Sequence, residues 1–194
     1  MRLILASNSK NRQNIFKNIG WKYEVIKSTV EEHSDATDPD EYVMDLSRDK
    51  ANSVASNIEG QALIIAADSI VYMDGKIFEK PKSKEEAFNN IKLMSGKISY
   101  LTTGVTIKDL YQNKEITFSD SVEVHFRKAD DKDIWWYVNN EKYSGCGFTI
   151  PGKAEIFIDK IVGDFNTLFG ISISAVYSKL KELGYSMKDF EIVD

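Results

Sequence analysis

The sequence predicts an α/β protein with a mixed β-sheet covered by helices. Three observations carry that prediction. Residues Ala62 to Met73 form a nearly continuous apolar run, interrupted by Asp68, which is the mark of a strand buried on both faces. Hairpin signals, Asp74-Gly75 and Gln112-Asn113, sit between runs of strand character. Segments with helical spacing and clear caps are interspersed among these strands, so a purely parallel sheet is not expected.

The elements follow in order. Leu3-Ile4-Leu5-Ala6 reads as a short buried strand. Ser7-Asn8-Ser9 then offers N-cap chemistry, Ile15, Phe16 and Ile19 recur at helical spacing, and Gly20 marks the stop. Tyr23 to Ile26 is a second strand. Asp38-Pro39, with Glu41, opens a capped helix along which Tyr42, Val43, Leu46, Lys50, Val54 and Ala55 lie on or near one face. Lys50 is the only charged member of that stripe. After the long apolar strand, Asp74-Gly75 turns into a partner strand at Lys76 to Glu79.

Ser83-x-x-Glu86 is a second capping box, followed by Ala87, Ile91, Met94 and the stop Gly96. Ile98 to Leu110 and Glu115 to Arg127 alternate like an antiparallel pair. Asp130 to Val138 reads as a helix, Tyr143 to Gly152 as a glycine-containing loop, Ala154 to Ile158 as a strand, and Ile171 to Leu183 as a last helix ending at Gly184. No repeat, low-complexity tract or linker breaks the chain, so residues 1–194 read as one domain.

Composition bounds the function. The chain has 194 residues, 42% of them hydrophobic, enough for a core without disulfide or metal staples. A net charge of −5 argues against general nucleic-acid or membrane-surface binding, both of which favour a basic excess. One cysteine, Cys146, excludes an intrachain disulfide and suits a reducing cytoplasm. No stretch approaches the ~18 apolar residues of a membrane span. The charge is uneven, however. Residues 1–27 hold six basic groups and one acid, whereas residues 28–74 hold two basic groups and eleven acids. Such a boundary suits a metal-bound polyanion, and it also suits solvated surface scatter.

Several residues could carry chemistry. A polar loop leaving a buried strand and opening a helix presents free N–H groups to a phosphate; Ser7 and Ser9 add hydroxyls and Arg12 a bidentate fork. The alternative is a capped helix with a surface arginine. Asp68, a carboxylate in an apolar strand, needs a cation or a strand-end turn. Glu31-Glu32 is a second carboxylate source, and two acids from neighbouring strand ends would suit Mg²⁺, or else Glu31-Glu32 is simply solvated. Lys80, stiffened by Pro81, reads as a fixed cation or an ordinary edge lysine. His33, His125 and Cys146 show no zinc spacing, and Cys146 reads as a small buried hydrophobe. Trp135-Trp136-Tyr137 suits core packing or a subunit contact.

In order, Leu-Ile-Leu-Ala-Ser-x-Ser-x-x-Arg, Val-Glu-Glu, Lys-Ala, Ala-Asp-Ser, Lys-Pro, Ser-Gly, Thr-Gly-Val and the late Gly163-Asp164-Phe165…Gly170 resemble the Maf family, from about residue 3 to residue 184. The resemblance implies a nucleoside triphosphate pyrophosphatase that cleaves the α–β phosphate bond of a pyrimidine or modified nucleotide, with Mg²⁺ or Mn²⁺, in a cytoplasmic house-cleaning role. It also implies an elongated mixed sheet with two lobes and a central cleft (Maf/ITPase-like) and a homodimer. By position, Ser7 and Arg12 match the phosphate loop, Glu31 the acid near the metal, Lys50 and Lys80 the two cleft lysines, and Asp68 the general base or metal ligand.

Two segments depart from the family pattern. The family loop reads Ser-x-Ser-Pro-Arg-Arg, but here Lys10 and Asn11 replace the proline and one arginine. At 143–152 the family's Asp-Lys pair and Gln are absent, and Pro151 stands at the Gln position. These departures support an alternative, a catalytically weakened nucleotide-binding protein linked to septum formation. A phosphatase releasing inorganic phosphate is a third reading. Ser172 also replaces a family proline, a change that reads as structural.

Overall fold

The structure is a computed structural model and describes residues 1–142 and 145–190. Among the described residues it is an α/β fold with a seven-stranded mixed sheet and five α-helices. The strands are β1 (Leu3–Leu5), β2 (Glu24–Val25), β3 (Leu63–Met73), β4 (Lys76–Phe78), β5 (Ile98–Asp109), β6 (Lys114–Phe126) and β7 (Ile158–Val162). The helices are α1 (Lys10–Asn18), α2 (Pro39–Ala55), α3 (Lys84–Met94), α4 (Asp131–Asn140) and α5 (Ile173–Glu182). The sheet order is β2-β1-β3-β5-β6-β7, with β4 paired to β3. Strand β1 is parallel to β2 and β3, whereas β3–β4 and β6–β7 are antiparallel.

The chain divides into two compact units. Among the described residues, the first comprises 1–69, 103–120 and 169–190, and the second 70–102, 121–142 and 145–168. In the first unit, β1 and β3 send alternate side chains to opposite faces, as a period of two requires. Leu3, Leu5, Leu63, Ile65 and Ala67 join a core with Ile15 and Phe16 of α1 and Val176 and Leu180 of α5. Ile4, Ala62, Ile64 and Ala66 join the opposite core with Ala51 and Val54 of α2. Helix α2 lies so close to β5 that a Cβ built on Gly104 would meet the Val43 carbonyl oxygen at 2.1 Å, which only glycine avoids.

The caps explain where these helices begin. Ser9 accepts from the Arg12 N–H at the start of α1, and Asp38 accepts from the Asp40 and Glu41 N–H groups at the start of α2. Ser172 accepts from the Ala175 N–H at the start of α5, a side-chain bond that proline could not make. In the turn between β5 and β6, buried Asp109 accepts from the Tyr111 and Gln112 N–H groups and from the Tyr185 hydroxyl.

The second unit is packed by aromatic rings. Phe148 stacks on Phe126 at 4.9 Å, and Phe157 meets Tyr137 edge-on at 5.6 Å. The Tyr137 hydroxyl accepts from the Thr149 N–H at 2.9 Å. Asp74 and Gly75 both take positive φ, 51° and 78°, which makes the tight β3–β4 turn that the Asp-Gly pair predicts. The capping of α3 departs from a reciprocal box. Ser83 accepts from the Glu86 N–H, but the Glu86 carboxylate reaches one residue further, to the Lys82 N–H. The segment 154–158, read as a strand from its apolar content, is a 3-10 helix at Lys153–Phe157 followed by β7. Ala154 and Phe157 are buried three residues apart, a spacing that suits a 3-10 turn.

Candidate active site

The first unit gathers polar side chains where β1 and β3 leave the buried part of the sheet. Alternation along β3 decides how. Ala66 faces the α2 core, so Asp68 faces α2 as well; Ala67 faces the α1 core, so Ser69 faces α1. Ser7 continues the phase of Leu3 and Leu5 and lies on the α1 side. Two neighbouring residues of one strand thereby supply two different clusters.

On the α1 side, Arg12 is fixed by three acceptors. Its Nε donates to the Gly170 carbonyl at 2.9 Å, one Nη to the Ser69 hydroxyl at 2.9 Å and the other to the Ser7 hydroxyl at 3.3 Å. Ser69 is itself within 2.8 Å of the Thr103 hydroxyl. Ser7 also accepts from the Ser9 N–H at 3.2 Å. Gly170 has a φ of 95°, and a Cβ there would press on the Arg12 guanidinium at 3.2 Å. Burial pulls the Arg12 pKa down, and the nearby Asp68 and Glu32 carboxylates offset this only in part. A guanidinium so placed remains charged.

On the α2 side, Lys50 donates to Asp68 through a short contact and pairs with Glu32 at 2.8 Å. The Lys50 and Asp68 side chains are only 12% and 13% exposed, so their charges offset one another where little water reaches. This accounts for both anomalies of the sequence, the lysine on an apolar helix stripe and the carboxylate in an apolar strand. A cavity of about 220 Å³ opens here, lined among others by Ser7, Ser9, Arg12, Lys27, Glu32 and Lys50. The N-terminus of α1 adds its positive end.

The structure thus brings Ser7, Ser9, Arg12, Lys50 and Asp68 into one neighbourhood. Glu31 is exposed, and its neighbour Glu32 is the residue that reaches Lys50. Lys80 belongs to the second unit, exposed between the buried Phe78 and Pro81. Tyr143 and Ser144 of the divergent loop lie outside the described residues; Pro151 is exposed. Cys146 is buried, and burial pushes its thiol up to about 11, which disfavours a thiolate nucleophile.

The sequence assigned no role to Lys27, Ser69 or Gly170, although Ser69 and Gly170 stand within motifs of the family resemblance. Lys27 was one of six basic residues in a segment, with nothing in its spacing to separate it. Ser69 follows Asp68 directly, and the alternation of a strand is the signal that would have directed it to Arg12.

The convergent acids suit a hard cation. Asp68 and Glu32 already share one positive group, Lys50, and two carboxylates that leave other positions to water and phosphate oxygens are a common Mg²⁺ arrangement. Among the described residues no group of three or more His, Cys, Asp or Glu converges as metal ligands. No helix among them is long and apolar enough to cross a membrane.

Comparison with known proteins places these features in a family. The family model described as Maf-like protein matches residues 2–183. Proteins named dTTP/UTP pyrophosphatase are similar over nearly the whole chain. That of Thermoanaerobacter sp. (strain X514) is 37% identical over 183 residues, covering 93% of this chain and 96% of its own. That of Fusobacterium nucleatum subsp. nucleatum is 37% identical over 190 residues, covering 95% and 97%. That of Clostridium tetani is 37% identical over 192 residues, covering 96% and 100%. A solved structure of a HAM1 protein from Coxiella burnetii aligns over 94% of this chain and 99% of that one, with a TM-score of 0.45 and 10% identity, too distant to carry an inference.

Proposed function

The chain belongs to the Maf-like protein family, and from that premise we propose that it is a nucleoside triphosphate pyrophosphatase. It hydrolyses the α–β phosphate bond and releases a nucleoside monophosphate and pyrophosphate. Its substrates are pyrimidine nucleotides such as the dTTP and UTP in its relatives' names, or modified versions of them. The observation that carries this reading is the pairing, around one cavity, of a fixed guanidinium with a buried lysine–carboxylate cluster.

In this reading Ser7, Ser9, Arg12 and the α1 N-terminus hold phosphate oxygens. Arg12 needs no reorganisation to do so, because Gly170, Ser69 and Ser7 already set its plane. Asp68 orients the attacking water and accepts its proton, and Lys50 holds the carboxylate in place and counters charge that builds on the phosphate. Ser7 accepts from two donors and, among the described residues, is hydrogen-bonded to no base, so in this reading water rather than serine is the nucleophile. Asp68 with Glu32 or Glu31 would hold Mg²⁺ or Mn²⁺, which when bound neutralises phosphate charge and stabilises the departing pyrophosphate. Lys80 joins the proposal on its motif alone. The chain works as one domain, in the cytoplasm, clearing unwanted nucleotides, and homodimer formation belongs to the same proposal.

A panel of canonical and modified nucleotides, with Mg²⁺ or Mn²⁺ and pyrophosphate as readout, tests this reading. Wild type should release pyrophosphate, and Asp68→Asn should lower kcat by about 10²- to 10⁴-fold, the range for loss of a general base. Release no faster than that of Asp68→Asn across the whole panel would remove the enzyme reading. Release of inorganic phosphate would point instead to a phosphatase.

A further inference from the structure

The cavity of the first unit holds three cations, and they differ in what they already do. Arg12 donates to Gly170, Ser69 and Ser7. Lys50 is shared between Asp68 and Glu32. Lys27 lines the same cavity, is exposed, and makes no hydrogen bond or ion pair with any described residue. Its backbone is nonetheless held on both sides. The Ile26 N–H donates to the Leu5 carbonyl at 3.3 Å, and the Thr29 N–H donates to the Ser53 hydroxyl of α2 at 3.2 Å. An anchored backbone thus carries a lysine side chain that no described residue engages.

Charge shows what such a residue contributes. Arg12 and Lys50 are balanced by Asp68 and Glu32, leaving that group neutral. Counting side chains alone, before any cation binds, Lys27 supplies the net positive charge of the cluster. A neutral group with well-placed donors binds one phosphate by geometry; it has little with which to favour a tail of further charge. An ammonium group on a flexible stem acts as a point charge that can follow such a tail.

We propose that Lys27 grips the charged tail of the nucleoside triphosphate and sets the preference of the site for the triphosphate over the monophosphate it releases. This rests on the pyrophosphatase reading above. Lys27 is a binding residue in the proposal: it contacts the pyrophosphate portion and takes no proton.

The test uses the full chain as wild type, Lys27→Ala and Lys27→Arg. Steady-state pyrophosphate release from UTP gives KM and kcat, and calorimetry gives Kd for inorganic pyrophosphate and for UMP. Lys27→Ala should raise KM and weaken inorganic pyrophosphate by about tenfold, in line with the loss of one charge-assisted hydrogen bond. Its kcat and UMP affinity should stay within about twofold, and Lys27→Arg should recover most of the loss because it restores the charge. Unchanged KM and pyrophosphate affinity overturn the proposal, as does an equal loss for UMP or a fall in kcat alone. If wild type hydrolyses no nucleotide, the pyrophosphatase reading fails by itself. Direct binding of inorganic pyrophosphate to wild type and Lys27→Ala then still decides whether Lys27 grips a diphosphate.

Discussion

The two units of the molecule spend their interiors differently. The first hides charge: Lys50 and Asp68 are almost as covered as core residues, and Arg12 is locked by three acceptors. Both units pack rings, Phe16, Trp21 and Phe190 in the first and Phe126, Phe148, Tyr137 and Phe157 in the second, and the second adds the buried neutral thiol of Cys146. Charge in an apolar setting lowers stability unless it is paired, whereas aromatic burial raises stability directly. The contrast separates a region shaped by chemistry from one shaped by packing, and substitutions in the two should have opposite signatures.

The largest expected effect tests the packing side. Phe157→Ala should destabilise the protein by about 3–5 kcal/mol, the usual cost of emptying a buried phenylalanine site. Urea denaturation would measure it, and activity per folded molecule at low temperature should stay near wild type. A large activity loss without a stability loss would break the comparison.

Arg12→Lys addresses the other side. The charge is kept, but the planar fork that reaches Gly170, Ser69 and Ser7 is lost. A fall in kcat/KM of about 100-fold, equivalent to ~2.7 kcal/mol, is expected with the fold intact by circular dichroism. A fall of less than about threefold would mean that charge alone suffices.

Cys146 sharpens the picture of the second unit through pH. Its folded thiol is pushed up to about 11 by burial, from an ordinary value of 9.0. The folded state therefore keeps a proton that the unfolded chain gives up. That contribution is fully present below pH 9 and is lost as pH rises through about 11. Between these limits wild type should lose about 2–3 kcal/mol more stability than Cys146→Ala, measured by urea denaturation at pH 8 and pH 11. Parallel losses in the two proteins would show that the thiol is not protected.

Much of this was legible in the sequence, and for physical reasons. Caps, Asp-Gly turns and apolar runs are local, so Ser9, Asp38, Ser83, Asp74-Gly75 and β3 could be read from adjacent residues. Lys50 and Asp68 announced themselves because each was the wrong polarity for its surroundings. What the sequence could not show was pairing. The choice of Glu32 over Glu31 as the partner of Lys50 depends on how the chain bends after β2, and no local pattern encodes it. The contact of Arg12 with Gly170 spans 158 positions. The 3-10 helix at Lys153–Phe157 was misread because five residues of mixed polarity carry too little periodicity to separate it from a strand.

The alternation of β3 gives the site a parity. Asp68 serves one cluster and Ser69 the other because one residue number is even and the next odd, counted from the buried stretch that begins at Leu63. Removing or adding a single residue between Leu63 and Ala67 would exchange the two, offering a hydroxyl to Lys50 and a carboxylate to Arg12. A change of two residues would preserve the assignment and shift only its depth. The site therefore tolerates changes of length in this stretch only in steps of two, whereas the turn at Asp74-Gly75 lies beyond Asp68 and Ser69 and leaves their phase untouched.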